Sequence, residues 1–229
     1  FADFIIGETT CDGKKKMFEL MRKFKHVHVM NLPQNQEHTS SLTLMHEEMK
    51  RLKAALEEAL DVTITDEAIG EAIHQVNEER KVLKKLFDLN KKKPAPISGL
   101  DLLTVSWQIG FHTNRKERIM LLENLIGEIE QRAEAGQVIG TEKTPRILLT
   151  GTPVGLGSEK VIALVEERGG LVVTMENCGG YKTLDLMIDE EDPRDKLLLL
   201  AERYLQIPCS IMSPNTGRIT LLENMIKDF

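Results

Sequence analysis

From about Thr39 to Gly136 the chain carries almost no strand signal, whereas short apolar runs alternate with helical periods on both sides of that stretch. This contrast restricts the fold more than any other feature: it calls for strand-and-helix units at the two flanks and a mostly helical insertion between them. On the first flank, Phe1 to Ile6 reads as a buried strand. Asp12 to Phe24 has helical spacing through Met17, Leu20, Met21 and Phe24, and His26 to Asn31 alternates again. That order is a βαβ unit. In the insertion, Leu42, Met45, Met49, Leu52 and Leu56 mark one helix, and Ile69, Ile73, Val76, Leu83 and Leu86 a second. Thr65-Asp66-Glu67 is placed to cap the second, because a side-chain oxygen there accepts free amide protons of the first turn. Two more helices are expected over Gly99 to Ile109 and Arg115 to Ala135.

Beyond Gly136 the alternation returns. Arg146 to Thr150 predicts a strand, Ser158 to Arg168 a helix, Leu171 to Met175 a strand, Pro193 to Tyr204 a helix, Gln206 to Cys209 a short strand, and Gly217 to Phe229 a helix. Alternating elements of this kind build a doubly wound parallel sheet. The expected fold class is therefore α/β, with blocks at residues 1–38, 39–140 and 141–229 and a boundary near Glu142 to Pro145. The chain starts inside an apolar run and ends inside an amphipathic helix, so it is expected to be an internal piece of a longer protein, truncated in its last block.

A formal charge of −6 gives no electrostatic ground for a nucleic-acid partner, since the runs Lys14-Lys15-Lys16 and Lys91-Lys92-Lys93 are too short to build a basic face. No apolar stretch approaches the roughly 20 residues a membrane span requires. Three cysteines far apart in sequence make no disulfide framework, which points to a reducing, cytoplasmic setting.

All three cysteines fall just after predicted strands, where ligands gather in open α/β sheets: Cys11 after Ile5-Ile6-Gly7, Cys178 after Val172-Val173-Thr174, and Cys209 after Gln206-Ile207-Pro208. Thiolates suit soft metals and iron–sulfur clusters, and the helix start beside Cys11 favours its thiolate. Free cysteines also pack as small apolar groups, so a structural role stays open. Glu8 and Glu176, each shortly before a cysteine, are candidates for proton transfer, with burial against a partner as the alternative. His26 and His28 share one face of a strand, but polar neighbours make a solvated edge the better reading; His112 reads as a cap or surface group. The loop Gly151 to Ser158 could present amides to an anion, yet it matches neither the Walker nor the dinucleotide glycine pattern. Gly179-Gly180 suits a turn or a close backbone approach.

Three strings in order carry a resemblance: Gly7-Glu8-Thr9-Thr10-Cys11-Asp12-Gly13-Lys14-Lys15-Lys16-Met17, Glu176-Asn177-Cys178-Gly179-Gly180-Tyr181-Lys182, and Ile207-Pro208-Cys209-Ser210-Ile211-Met212-Ser213-Pro214-Asn215. Together they resemble the benzoyl-CoA reductase and 2-hydroxyacyl-CoA dehydratase family. The resemblance implies two Rossmann-like units with a helical insertion and an iron–sulfur cluster between the domains. It implies Cys11, Cys178 and Cys209 as ligands, Cys11 foremost.

The chemistry implied is that of a lyase of anaerobic metabolism. A [4Fe–4S] cluster, reduced by one electron from an ATP-driven iron–sulfur activator, binds a 2-hydroxyacyl-CoA and removes water through a ketyl radical. A second branch carries a double-cubane cluster and reduces small molecules, again with an ATP-driven partner. A homologous subunit or homodimer is the expected assembly. A cluster-free scaffold or binding subunit is the alternative of another class. Members of the second branch often have Gly-Cys-Pro where this chain has Gly151-Thr152-Pro153, and their further cysteines fall beyond both ends of this sequence. The piece alone is therefore expected to hold an incomplete site.

Overall fold

A computed structural model describes residues 2–10 and 12–229. Contacts divide the chain into two compact units that are discontinuous in sequence. Unit 1 comprises residues 1–73 and 188–218, and unit 2 residues 74–187 and 219–229.

Unit 1 opens with β1 (Ile5–Glu8), α1 (Asp12–Met21) and β2 (Val27–Met30). The two strands pair in parallel from Ile5 opposite Val27 to Glu8 opposite Met30, which is the βαβ unit the spacing predicts. Gly7 is required by close packing: a Cβ there would stand 2.6 Å from the Phe18 ring of α1. The strand is less covered than its apolar run suggests, because Ile6 is 47% exposed while Gly7 is buried. Helix α2 (Ser41–Leu60) follows and ends at Asp61, which takes a left-handed conformation with φ 52°. Helix α3 (Asp66–Asp88) begins as expected, with Thr65 Oγ1 accepting from the Ala68 amide at 3.2 Å. Helix α7 (Lys196–Leu205) packs on α2: Met45 joins Ala201 and Leu205 in one apolar cluster, and Ile69 and Ile73 join Ile188 and Leu199 in another.

Unit 2 contains the rest of α3, then α4 (Gly99–Ile109), α5 (Arg115–Glu134), β3 (Arg146–Leu149), α6 (Lys160–Glu167) and β4 (Leu171–Met175), with the later turns of α8 (Thr216–Asp228). Strands β3 and β4 are parallel, with a shift in register between Ile147 and Leu148. All five residues of β4 are buried, so its continuous apolar run is that of a strand covered on both faces. Leu86, Phe87, Leu102, Leu122, Ile162 and Val172 form the centre of the core, and Met225 of α8 joins them. The first turn of α4 lies against β4 closely enough that a Cβ on Gly99 would stand 2.4 Å from the Val172 carbonyl oxygen. Its free amides find two acceptors: Glu166 Oε1 receives Gly99 N–H at 2.7 Å, and Ser98 Oγ receives Asp101 N–H at 3.0 Å.

The fold is thus α/β with parallel strand pairs, two strands in each sheet among the described residues. One expected element does not form. Gln206 to Cys209 is a turn, not a strand: Cys209 N–H closes on the Ile207 carbonyl at 2.7 Å, and Pro208 has no amide proton to give a ladder.

Candidate functional site

In unit 1 the carboxyl ends of β1 and β2 lie side by side at Glu8 and Met30. The loops that leave them are fastened to one another. Thr9 N–H donates to the Met30 carbonyl at 3.1 Å, and Leu32 N–H donates to Thr9 Oγ1 at 2.9 Å. The buried Glu48 of α2 accepts from Asn31 N–H at 3.1 Å and from Arg51 Nη1 at 2.6 Å, so its carboxylate holds the end of β2 against α2.

Above these strand ends is a cavity of about 490 Å³, within the range of small-molecule sites. Glu8 and Thr10 come from the β1 end, Met45 and Met49 from α2, Tyr204 from α7, and Cys209 from the turn that follows α7. Glu8 pairs with Lys14 of α1, and Thr10 Oγ1 lies 3.5 Å from the same carboxylate. Cys209 is a free, half-buried thiol. Its carbonyl accepts from Met212 N–H at 3.0 Å and from Asn215 Nδ2 at 2.6 Å, while Asn215 Oδ1 receives Arg218 N–H at 3.3 Å and so caps α8. Ser213 N–H donates to the Gln34 carbonyl at 2.9 Å, which ties the cysteine turn to the segment after β2.

In unit 2 the end of β4 carries an ion pair. Glu176 is fully buried; Lys182 Nζ stands 3.1 Å from its Oε1, as a charge contact more than an aligned hydrogen bond, and Thr150 Oγ1 donates to Oε2 at 2.5 Å. Between the two charged residues the chain turns through Asn177, whose Oδ1 accepts from Gly179 N–H at 3.1 Å and whose carbonyl accepts from Gly180 N–H at 3.0 Å. A Cβ on Gly180 would stand 2.2 Å from the Met175 carbonyl oxygen, so this glycine serves the turn. Cys178 is exposed on it, as a free thiol. A smaller cavity of about 230 Å³ lies beside the turn, walled by Trp107, Phe111, Val154 and Gly179. Burial, with Asp88 accepting from the phenol at 2.9 Å, holds the Tyr181 hydroxyl protonated well above the usual tyrosine range.

The profile of the 2-hydroxyglutaryl-CoA dehydratase D-component matches residues 1–229. This chain belongs to that family. It is similar over its whole length to the Escherichia coli (strain K12) protein named "Putative dehydratase subunit YjiM", with 39% identity over 229 residues that make up 59% of the relative. It is also similar to one of the benzoyl-CoA reductase subunits of Thauera aromatica, with 27% identity over 105 residues, 44% of this chain and 27% of the relative. The chain therefore spans less than two thirds of the length of either relative.

Within this dehydratase-family chain, unit 1 brings Glu8 and Cys209 to one cavity, and unit 2 places Glu176 and Cys178 on one turn. Cys11 lies outside the described residues; its chain neighbour Thr10 lines the cavity. Among the described residues no three His, Cys, Asp or Glu side chains stand close enough to hold a metal ion. As single donors, the free thiols suit a soft metal, and the apolar surroundings of Cys209 suit an iron–sulfur group. His28 is partly buried on β2; burial first, and then the charge of Arg51, depress its pKa, and its Nε2 has no hydrogen-bond partner. Burial thus favours its neutral form. His112 is a local surface group, with Nδ1 3.2 Å from the Asn114 carbonyl and Nε2 3.4 Å from Glu117, while Asn114 caps α5. Three residues that hold these sites, Lys182, Glu48 and Asn215, carry no sequence signal for the parts they play. Lys182 and Asn215 stand inside the motif strings, but their partners are set by the turns they close; Glu48 looks like any exposed helix glutamate until β2 is seen to end beside it.

Proposed function

We propose that this chain is the iron–sulfur component of a 2-hydroxyacyl-CoA dehydratase that works in the cytoplasm with an ATP-dependent iron–sulfur activator and a homologous subunit. The observation that carries this reading is the meeting, within unit 1, of a free thiol and a carboxylate on one largely apolar cavity at the ends of parallel strands. Cys11, Cys178 and Cys209 are the proposed thiolate ligands. Residues 1–38 and 141–229 are the proposed Rossmann-like blocks and 39–140 the helical insertion.

A bound cluster would supply one electron and a Lewis-acidic iron. In the net reaction the C2–O bond and one C3–H bond of a 2-hydroxyacyl thioester break, a C2=C3 double bond forms and water leaves. The electron is returned, so the balance is redox-neutral. The part of the chain itself is proton handling and exclusion of solvent. Glu8, oriented by Lys14, is the group proposed to take the C3 proton. The methionine and leucine walls keep water from the reacting centre. Glu176, the second candidate for proton transfer, is held by Lys182 and Thr150, and its proposed part is to fix the turn that bears Cys178.

Iron and acid-labile sulfide per chain, with an absorption spectrum, test the reading on anaerobically purified full-length protein and its Cys11→Ser and Cys209→Ser variants. Bound cluster in the parent that is lost in both variants is the expected result, and the sulfide count distinguishes a [4Fe–4S] from a double-cubane cluster. A full-length protein that holds no iron after reconstitution leaves the cluster-free scaffold as the function.

A further inference from the structure

The cavity of unit 1 has an unusual donor balance for a family described by 2-hydroxyglutaryl-CoA, an acyl group with a second carboxylate. Four methionines form much of its wall: Met30 from β2, Met45 and Met49 from α2, and Met212 from the turn after Cys209. Leucine and isoleucine fill most of the remainder, among them Leu52 of α2, Leu200 of α7 and Ile211 of the turn after Cys209. No lysine, arginine or histidine lines it among the described residues, and its one charged side chain, Glu8, is an anion.

We infer that this cavity accepts a neutral, apolar acyl chain and rejects a chain that ends in a carboxylate. The inference rests on the proposed reading of the cavity as the acyl-CoA site and adds the class of acyl group. A terminal carboxylate would leave water for a low-dielectric pocket whose lining offers it no cation, and the ammonium beside the cavity, that of Lys14, is already held by Glu8, so it would either stay outside or bind only after taking up a proton. An aliphatic or aromatic chain gains burial against the same walls. Methionine side chains are unbranched and adjust to irregular shapes, so branched and ring-bearing chains fit alike.

The test compares two thioesters without a 2-hydroxyl, so that no dehydration follows binding. Full-length protein, purified anaerobically, is titrated calorimetrically with 4-methylpentanoyl-CoA, glutaryl-CoA and CoA alone. The apolar thioester is expected to bind at least about tenfold more tightly than glutaryl-CoA. Met49→Lys, at a half-buried wall position, is expected to reduce that ratio at least about tenfold by giving the carboxylate a partner. Leu52→Lys serves the same purpose if the first variant does not fold. Equal affinity, or tighter binding of glutaryl-CoA, overturns the inference and leaves the acyl-CoA reading in place. If neither thioester binds more tightly than CoA alone, the cavity is not the acyl site, and both fall.

Discussion

Glu176 and Lys182 show how a pair of charges inside a protein acts on the chain around it. Both side chains are nearly inaccessible to water, at 0% and 3% exposure, and each makes burial of the other tolerable. Removing one partner leaves an uncompensated buried charge, which typically costs about 3–5 kcal/mol. Lys182→Met is therefore expected to lower unfolding stability by about that amount in urea titrations, and Lys182→Met combined with Glu176→Leu to recover much of it. A single variant as stable as the parent would show that the pair does not hold the turn. The sequence singles out Glu176 because it precedes a cysteine after a strand. Its partner is invisible there, because a lysine six positions later is ordinarily a surface residue, and only the fold of the Gly179-Gly180 turn brings it back under the strand end.

Helix ends do much of the positioning in both units. Ser98 and Glu166 serve the start of α4, Asn114 that of α5, and Asn215 that of α8. Asn215 has a second task, since its amide nitrogen also donates to the Cys209 carbonyl at 2.6 Å. Asn215→Ala removes both contacts and is expected to cost about 1–2 kcal/mol and to make the Cys209 thiol react faster with a disulfide reagent, as followed by mass-spectrometric labelling at that residue. Unchanged labelling would mean that the turn holds its shape without the asparagine. Most helices are legible from apolar spacing: α4 is expected over Gly99 to Ile109 and runs there, and α3 is expected from its Thr65 cap. The strand expected over Gln206 to Cys209 fails because a short apolar run with proline carries too few side chains to tell a strand from a turn.

The two units are interleaved along the chain, with unit 1 made from the first 73 residues and a segment that follows most of unit 2. Helix α7 completes the apolar clusters that Met45 and Ile73 begin, so unit 1 depends on residues far downstream. A chain ended after Met187 is expected to lose amide protection in β1, β2 and α2, as read by hydrogen exchange; retention of full protection there would show that α7 is dispensable to that core. The family, the α/β class and the placing of cysteines after apolar runs are all written in the sequence, because motif strings, apolar periods and caps are local properties of the chain. The pairing of residues 188–218 with the first 73, the cavity shared by Glu8 and Cys209, and the burial of Lys182 are not. Each depends on contacts between segments far apart or on the closing of a turn, and the pattern of side chains along one segment carries no information about which distant surface will cover it.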